Sequence, residues 1–325
     1  MIVSAFAITG PTASGKTGLS LDIARRFGCE IISCDSMQIY RGMDIGTAKA
    51  DARERAAVPH HLIDIIDPCE AYSAENYRAD ALATARDITG RGRIPLFVGG
   101  TGMYLDTVAR GTSPVSPPRD PELSARLSAE AESEEGRLRL YERLRKIDPE
   151  SAEKTHPNNL RRVVRAVEIY ELTGKTKTYF DKLSKEGSAD IRLKTVVLDF
   201  NDRETLYKRI DSRVDAMIEA GLLTEVSGLI KSGALSEDTT AGGAIGYKEL
   251  FPYFRGERPL SDAVDEIKLA SRRYAKRQLT WFRNKTEAVT VYLDNKDGTL
   301  RDYREVFSEA EAIFCKELNE KGIKL

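Results

Sequence analysis

Histidine and cysteine are scarce in this chain, and each shortage closes a class of chemistry. With three histidines, His60, His61 and His156, a histidine-ligated metal centre is not expected. The four cysteines, Cys29, Cys34, Cys69 and Cys315, show no CxxC spacing and sit in or beside apolar runs. They read as free thiols in a reducing cytoplasm, not as disulfides or a zinc site. No apolar run approaches the ~18 residues of a membrane-spanning helix. The opening MIVSAFAIT lacks the charged region of a secretory leader and runs straight into a functional loop. Charge of one sign is missing too: 50 Lys and Arg stand against 51 Asp and Glu, a formal net charge of -1. A general polyanion binder of the histone kind is excluded, so any nucleic-acid contact must come from local basic patches. What remains is an ordinary soluble globule of 325 residues, 41% hydrophobic and 31% charged, expected to form one large or two modest domains.

Short β-branched or apolar runs recur between helical patterns, at 2–9, 29–33, 62–66, 94–98, 193–200 and 288–293. Most lack clean alternation, which suits strands covered on both faces. The alternation of strand and helix predicts an α/β fold, a parallel, doubly wound sheet with helices on both faces. GTSPVSPPRDP (111–121) holds four prolines and reads as a boundary linker. Helical periodicity without a strand then fills 121–182. An all-helical lobe is therefore expected over about 113–190, inserted into a core made of 1–112 and 191–325.

Gly10-Pro11-Thr12-Ala13-Ser14-Gly15-Lys16-Thr17 fits G-x-x-x-x-G-K-[ST] in full, after an apolar strand and at the start of a helix. Such a loop turns successive backbone N–H groups inward, and the helix N-terminus adds partial positive charge; both favour phosphate oxygens. Lys16 supplies a cation for the terminal phosphate, and the Thr17 hydroxyl can ligate Mg²⁺. The loop says phosphate, whether of a nucleotide such as ATP or of another diphosphate. A switch GTPase is excluded, because Asn284–Glu287 and Asn295–Gly298 both lack the Asp of an NKxD base reader.

Ligands of open parallel sheets sit beyond the carboxyl ends of the strands. Two segments leave strands there: Ser33–Arg41, and Gly99-Gly100-Thr101-Gly102. Asp35 is a carboxylate placed near a phosphate site, expected as a general base or metal ligand, or else as a helix cap. Arg209 and Arg213 lie four apart on one helical face; either they form a surface ion-pair face or one clamps a leaving oxyanion. His60 and His61 are expected to serve structure. Between Lys268 and Lys285 there are seven Lys and Arg, no acid, and the interleaved aromatics Tyr274, Trp281 and Phe282. With the cluster Arg161, Arg162 and Arg165 in the lobe, this points to local RNA contact.

Six strings, in order, resemble the bacterial tRNA dimethylallyltransferases, also called tRNA isopentenyltransferases: GPTASGKT, CDSMQIYRGMDIGTAK, PHHLIDIIDP with AYSAENYRADA, PLFVGGTGMYL, IDPESAEKTHPNNLRRVVRAVEIYELTG and ASRRYAKRQLTWFRN. The resemblance implies a P-loop-kinase-like core with a helical insertion. It implies transfer of a dimethylallyl group from dimethylallyl diphosphate to the exocyclic amine of the adenosine just 3′ of the anticodon. By resemblance Asp35 is the general base, Thr101 a stabiliser of the reacting centre and Arg213 a diphosphate contact, with Mg²⁺ held at Thr17. The anticodon stem-loop of tRNA would be met by Asp35, Ser36, Met37 and Gln38, by Arg161, Arg162, Val163, Val164 and Arg165, and by Lys276, Arg277, Gln278, Trp281 and Arg283. A cytoplasmic monomer is expected, with no membrane partner. The rivals are a small-molecule P-loop kinase, an enzyme prenylating free adenine nucleotides, and a non-catalytic RNA-binding ATPase. The first two have no use for the basic aromatic stretch, and the third has none for Asp35.

Overall fold

The computed structural model describes residues 2–111, 117, 119–184, 190–285 and 288–320. Its first strand, β1 (Val3–Thr9), is apolar on both sides and is buried along nearly its whole length. In chain order follow α1 (Lys16–Phe27), β2 (Cys29–Ser33), α2 (Ala52–Ala57), β3 (His60–His61), α3 (Ala74–Gly90), β4 (Ile94–Gly99) and α4 (Gly102–Arg110). Five helices come next: α5 (Pro121–Glu130), α6 (Glu134–Ile147), α7 (Pro149–Glu153), α8 (Leu160–Thr173) and α9 (Lys177–Leu183). The chain then forms β5 (Ile191–Asp199), α10 (Arg203–Glu219), α11 (Leu222–Lys231), α12 (Phe251–Phe254), α13 (Leu260–Lys285), β6 (Ala288–Tyr292) and α14 (Tyr303–Glu320).

The six strands make one parallel sheet in the order β3-β2-β4-β1-β5-β6. β1 pairs with β4 on one side and β5 on the other, so the strand order reverses beside it. A ligand site is expected outside such a reversal, and the loop after β1 occupies that place. This is the α/β parallel sheet read from the sequence, and the P-loop-kinase-like core that the resemblance implies. Side chains of β1 alternate between two cores. Phe6 and Ile8 join Leu19, Ile23, Phe27 and Phe314 on the face covered by α1 and α14. There Phe6 stacks on Phe314 with centroids 4.3 Å apart. Val3, Ala5 and Ala7 face the other way, onto Tyr77, Ala81 and Tyr104 of α3 and α4. The Tyr77 and Tyr104 rings stack at 3.9 Å, and the Tyr77 hydroxyl donates to the Ser33 carbonyl at 3.0 Å.

One strand differs from expectation. Residues 62–66 are not a strand; β3 is the pair His60–His61. Leu62 and Asp64 take φ values of 59° and 56°, in the left-handed region where a strand cannot continue. Asp64 is held in that turn by Lys49 at 2.6 Å and Arg55 at 2.8 Å. Among the described residues all four cysteines are free thiols, and no helix is long and apolar enough to cross a membrane.

The chain divides into two compact units, 1–109 with 190–325, and 110–189. The linker read at 111–121 falls largely outside the described residues. Within the second unit, Leu127, Leu140, Leu144, Val163, Val164 and Val167 form a separate core. Pro at the first position and Asp120 as N-cap start α5, and Gly174, at φ 67°, ends α8.

A candidate active site at the carboxyl ends of the strands

At the end of β1 the backbone turns at Gly10, φ 148°. A Cβ there would stand 2.6 Å from the Leu198 carbonyl oxygen, so the position takes glycine alone. Gly15, φ 79°, caps α1. Two other helices brace the loop between them. Arg209 of α10 donates through Nε to the Ala13 carbonyl at 3.0 Å, and the Thr12 N–H donates to Gln278 Oε1 of α13 at 2.9 Å. Lys16 Nζ donates to the carbonyls of Gly10 and Pro11, at 3.1 and 2.7 Å. The Ser14 hydroxyl is buried with no hydrogen-bond partner among the described residues.

The start of α10 is fixed from the segment just after β6. The buried Asp294 accepts the N–H groups of Asn201 and Asp202 at 2.7 and 2.9 Å, and Asp202 caps the helix. From that start, Arg209 and Arg213 fall on the face turned to the phosphate loop. Arg209 braces the loop, a role the sequence did not suggest, and Arg213 lines the cavity.

Asp35 follows β2, and its Oδ1 accepts the Met37 N–H at 2.9 Å. The end of β4 comes up against this turn. Thr101 donates its N–H to the Cys34 carbonyl at 3.1 Å, and its Oγ1 accepts the Ser36 N–H at 3.1 Å. A Cβ on Gly99 would lie 2.2 Å from the Cys34 carbonyl oxygen. Gly99→Ala therefore separates the two strand ends, and a loss of ~1–3 kcal/mol is expected in denaturant unfolding; an unchanged midpoint would refute it. Gln278, buried, donates its Nε2 to the Gly100 carbonyl at 2.9 Å while its Oε1 takes the Thr12 N–H.

These segments enclose a cavity of about 400 Å³. Lys16, Thr17 and Arg213 line it, as do Asp35, Gln38 and Tyr274. The charges there sense one another. Burial first, then the positive charge of Arg213, pull Lys16 down to about 7, against the opposing pull of Asp35. Burial lowers Arg213 as well, while Asp35 raises it. Tyr274, read from the sequence only as one of the aromatics in the basic stretch, lines the cavity with Asp35. Burial and then Asp35 push its phenol up to about 12, so it stays protonated at neutral pH. Its signal was position: four residues before Gln278 on α13, it shares the face that carries the brace.

The residues expected to meet RNA divide into two sets. Gln38 lines the cavity, with its amide engaged: Ser33 Oγ donates to its Oε1 at 2.9 Å, and its Nε2 points to the carbonyls of Thr47 and Ala48. Val163 and Val164 face the core of the helical unit, because α8 buries that side. Arg165 is paired with the buried Glu168 at 2.9 Å; Arg161 and Arg162 are exposed. On α13 the acid-free run is neutralised by acids from elsewhere. Lys268 pairs with Asp215 at 2.6 Å, Arg272 with Asp211 at 2.7 Å and Arg283 with the buried Asp199 at 2.8 Å. Arg273, Lys276 and Arg277 have no ion pair among the described residues, and the Arg277 guanidinium lies 5.5 Å from the Tyr274 ring centroid. Gln278 and Trp281 point inward, Trp281 against Gly102 at the start of α4.

Asp35 is the one carboxylate lining the cavity, and no three His, Cys, Asp or Glu side chains gather as a ligand set, both among the described residues. The Thr17 hydroxyl, beside Lys16, is the hard oxygen donor at the loop. That donor set fits Mg²⁺, which takes few protein ligands and fills its shell with phosphate oxygens and water.

Residues 38–285 match the family described as IPP transferase, and residues 3–60 the one described as isopentenyl transferase. A tRNA dimethylallyltransferase of Shouchella clausii is 45% identical over 304 residues, 93% of this chain and 96% of the relative. One from Bacillus subtilis is 46% identical over 281 residues, 86% and 88% of the two chains. Among solved structures, the full-length tRNA isopentenylpyrophosphate transferase of Bacillus halodurans aligns with a TM-score of 0.70 at 41% identity, over 98% of both chains. A eukaryotic dimethylallyltransferase acting on tRNA aligns with a TM-score of 0.76 at 28% identity, over 99% of this chain and 81% of its own. A match of this length and identity places the chain, by descent as well as by fold, in the IPP transferase family of tRNA dimethylallyltransferases.

Proposed function

We propose that this chain transfers a dimethylallyl group from dimethylallyl diphosphate to the exocyclic amine of the adenosine directly 3′ of the anticodon in tRNA. The observation that carries the reading is one cavity with Lys16, Thr17 and Arg213 lining it at the phosphate loop and Asp35 lining it from the end of β2. The diphosphate sits on the loop N–H groups and Lys16, with Arg213 beside it. Ile210, Val214, Met217 and Ile245 give the same cavity an apolar wall suited to a short branched hydrocarbon. Adenine's amine attacks C1 of the allyl group, the C1–O bond breaks, and its electron pair leaves on diphosphate. Asp35 takes the proton that the amine sheds. Lys16 and Arg213 stabilise the charge that grows on the leaving group.

Mg²⁺, held by the Thr17 hydroxyl and diphosphate oxygens, would supply Lewis-acid assistance to the same departure. The target base must leave its stack to enter the cavity, and Gln38 then reads its edge. Arg161, Arg162, Lys276 and Arg277 are the exposed or cavity-side cations that suit the RNA backbone.

The test is incubation with Mg²⁺, dimethylallyl diphosphate and an unmodified tRNA bearing adenosine after its anticodon. Mass spectrometry of the nucleosides should show one adenosine heavier by a five-carbon unit. No gain, with phosphate released from ATP onto a small molecule, would replace this reading by the kinase.

A further inference from the structure

One wall of the cavity is a segment without helix or strand. Gly46, Thr47, Ala48 and Ala50 all line the cavity, and the chain from Met37 to Ala50 is a succession of turns. A carboxylate from another element holds its 44–46 turn. Glu225 on α11 accepts three successive backbone N–H groups: Asp44 and Ile45 on Oε2, at 2.9 and 2.7 Å, and Gly46 on Oε1, at 3.2 Å. Consecutive N–H groups in a turn form a concavity that binds anions, and here the anion belongs to the chain itself. Tyr247, buried, donates its hydroxyl to Glu225 Oε1 at 2.6 Å. Its ring also fills the space over Gly46, where a Cβ would lie 2.5 Å from a ring carbon.

What this anchor fixes lies just beyond the turn. The carbonyls of Thr47 and Ala48 accept from Gln38 Nε2 at 3.3 and 3.4 Å, while Ser33 Oγ donates to Gln38 Oε1 at 2.9 Å. An amide is nearly symmetric in shape, so its partners decide which way round it stands. The nitrogen of Gln38 faces the pinned turn and its oxygen faces Ser33. We propose that Glu225 is a positioning residue: by holding the 44–46 turn it sets the two carbonyls that orient the Gln38 amide, and so sets how the cavity reads the incoming base. This rests on the reading of Gln38 as the residue that meets adenine.

Glu225→Gln keeps the size of the side chain but turns an N–H₂ toward backbone N–H groups, leaving donors unanswered. Lys49 still ties Asp44 and the Tyr40 carbonyl from the other side, so the wall is loosened, not lost. The experiment measures binding of a fluorescent anticodon stem-loop to the full chain by anisotropy, with adenosine or guanosine at the target position. Transfer from dimethylallyl diphosphate is followed in parallel. Glu225→Gln is expected to weaken binding of the adenosine stem-loop about tenfold and to erase its preference over guanosine. KM for dimethylallyl diphosphate should move less than about twofold. In a Gln38→Ala background the same substitution should add less than about twofold, because its route of action is gone. Tyr247→Phe removes one bond to the same carboxylate and should give the pattern at smaller size; it carries the test if Glu225→Gln fails to fold. Equal losses in both backgrounds, or a KM for dimethylallyl diphosphate that rises in step, overturn the proposal. Transfer by the unaltered chain reports on the functional reading separately, since the binding cycle needs no turnover.

Discussion

Asp35→Asn lowers the rate of transfer by ~10²–10⁴-fold, the range for loss of a general base, and leaves binding of dimethylallyl diphosphate within a few fold. Asparagine keeps an oxygen for the Met37 N–H, so the turn after β2 holds its shape and the proton acceptor alone is removed. Single-turnover transfer with saturating diphosphate and stem-loop isolates this step from binding. A rate within threefold of the unaltered chain would remove Asp35 from the chemistry. The substitution has a second, calculable effect. Asp35 raises the Lys16 pKa, so its removal lets the ammonium lose its proton at still lower pH. The comparison therefore belongs at about pH 6 as well as above 7, and the loss should persist at both, because a missing base is not restored by recharging Lys16.

Lys16 gives the other large effect. Lys16→Ala removes the cation that meets the departing diphosphate and should cost ~10²–10³-fold in kcat/KM for dimethylallyl diphosphate. Its pH signature follows from its environment. The folded chain holds this ammonium near 7, by burial and then by Arg213. The charge that attracts the diphosphate is present below that pH and is lost above it. Because kcat/KM reports the free enzyme, its value should fall by up to about tenfold per pH unit above 7. Lys16→Arg, charged throughout, should flatten that limb. A profile unaltered by Lys16→Arg would place the titration elsewhere. The same shift links to stability with a definite sign: between about 7 and the ordinary lysine value the unfolded chain binds a proton that the fold does not, so stability rises with pH over that window.

The parts of this molecule most legible in the sequence are those whose physics is local. Gly10–Thr17 states its own geometry, because glycine at the turn and Lys-Thr at the helix start are what a phosphate loop requires. The strands β1, β2 and β4 are visible as apolar runs, because a parallel sheet covered on both faces leaves no polar side to blur them, and β5 and the edge strand β6 as β-branched runs. What stayed hidden depends on partners far along the chain. LIDII reads as a strand, yet Lys49 and Arg55 hold Asp64 in a turn, and the pairing moves back to His60–His61. The acid-free run of α13 reads as bare positive charge, but Asp199, Asp211 and Asp215 reach it from β5 and α10. Val163 and Val164 stand among arginines and still face a core, since a helix shows its sides only once its neighbours are known. Glu225 carries no local signal at all; it is recognised by the turn it holds.

Gln278 has a consequence for how this sequence can drift. One planar end group must donate to Gly100 and accept from Thr12 in the same instant. Apart from the silent exchange between its two codons, every single-base exchange of a glutamine codon yields Glu, Lys, Arg, Leu, Pro, His or a stop. Glu lacks the donor, Lys and Arg lack the acceptor, Leu and Pro lack both, and His sets its two nitrogens across a ring. Asparagine, the other amide, is not one mutational step away. The tie between the phosphate loop and the fourth strand is thus guarded by the genetic code, and a lineage that lost it would have to rebuild both loops together.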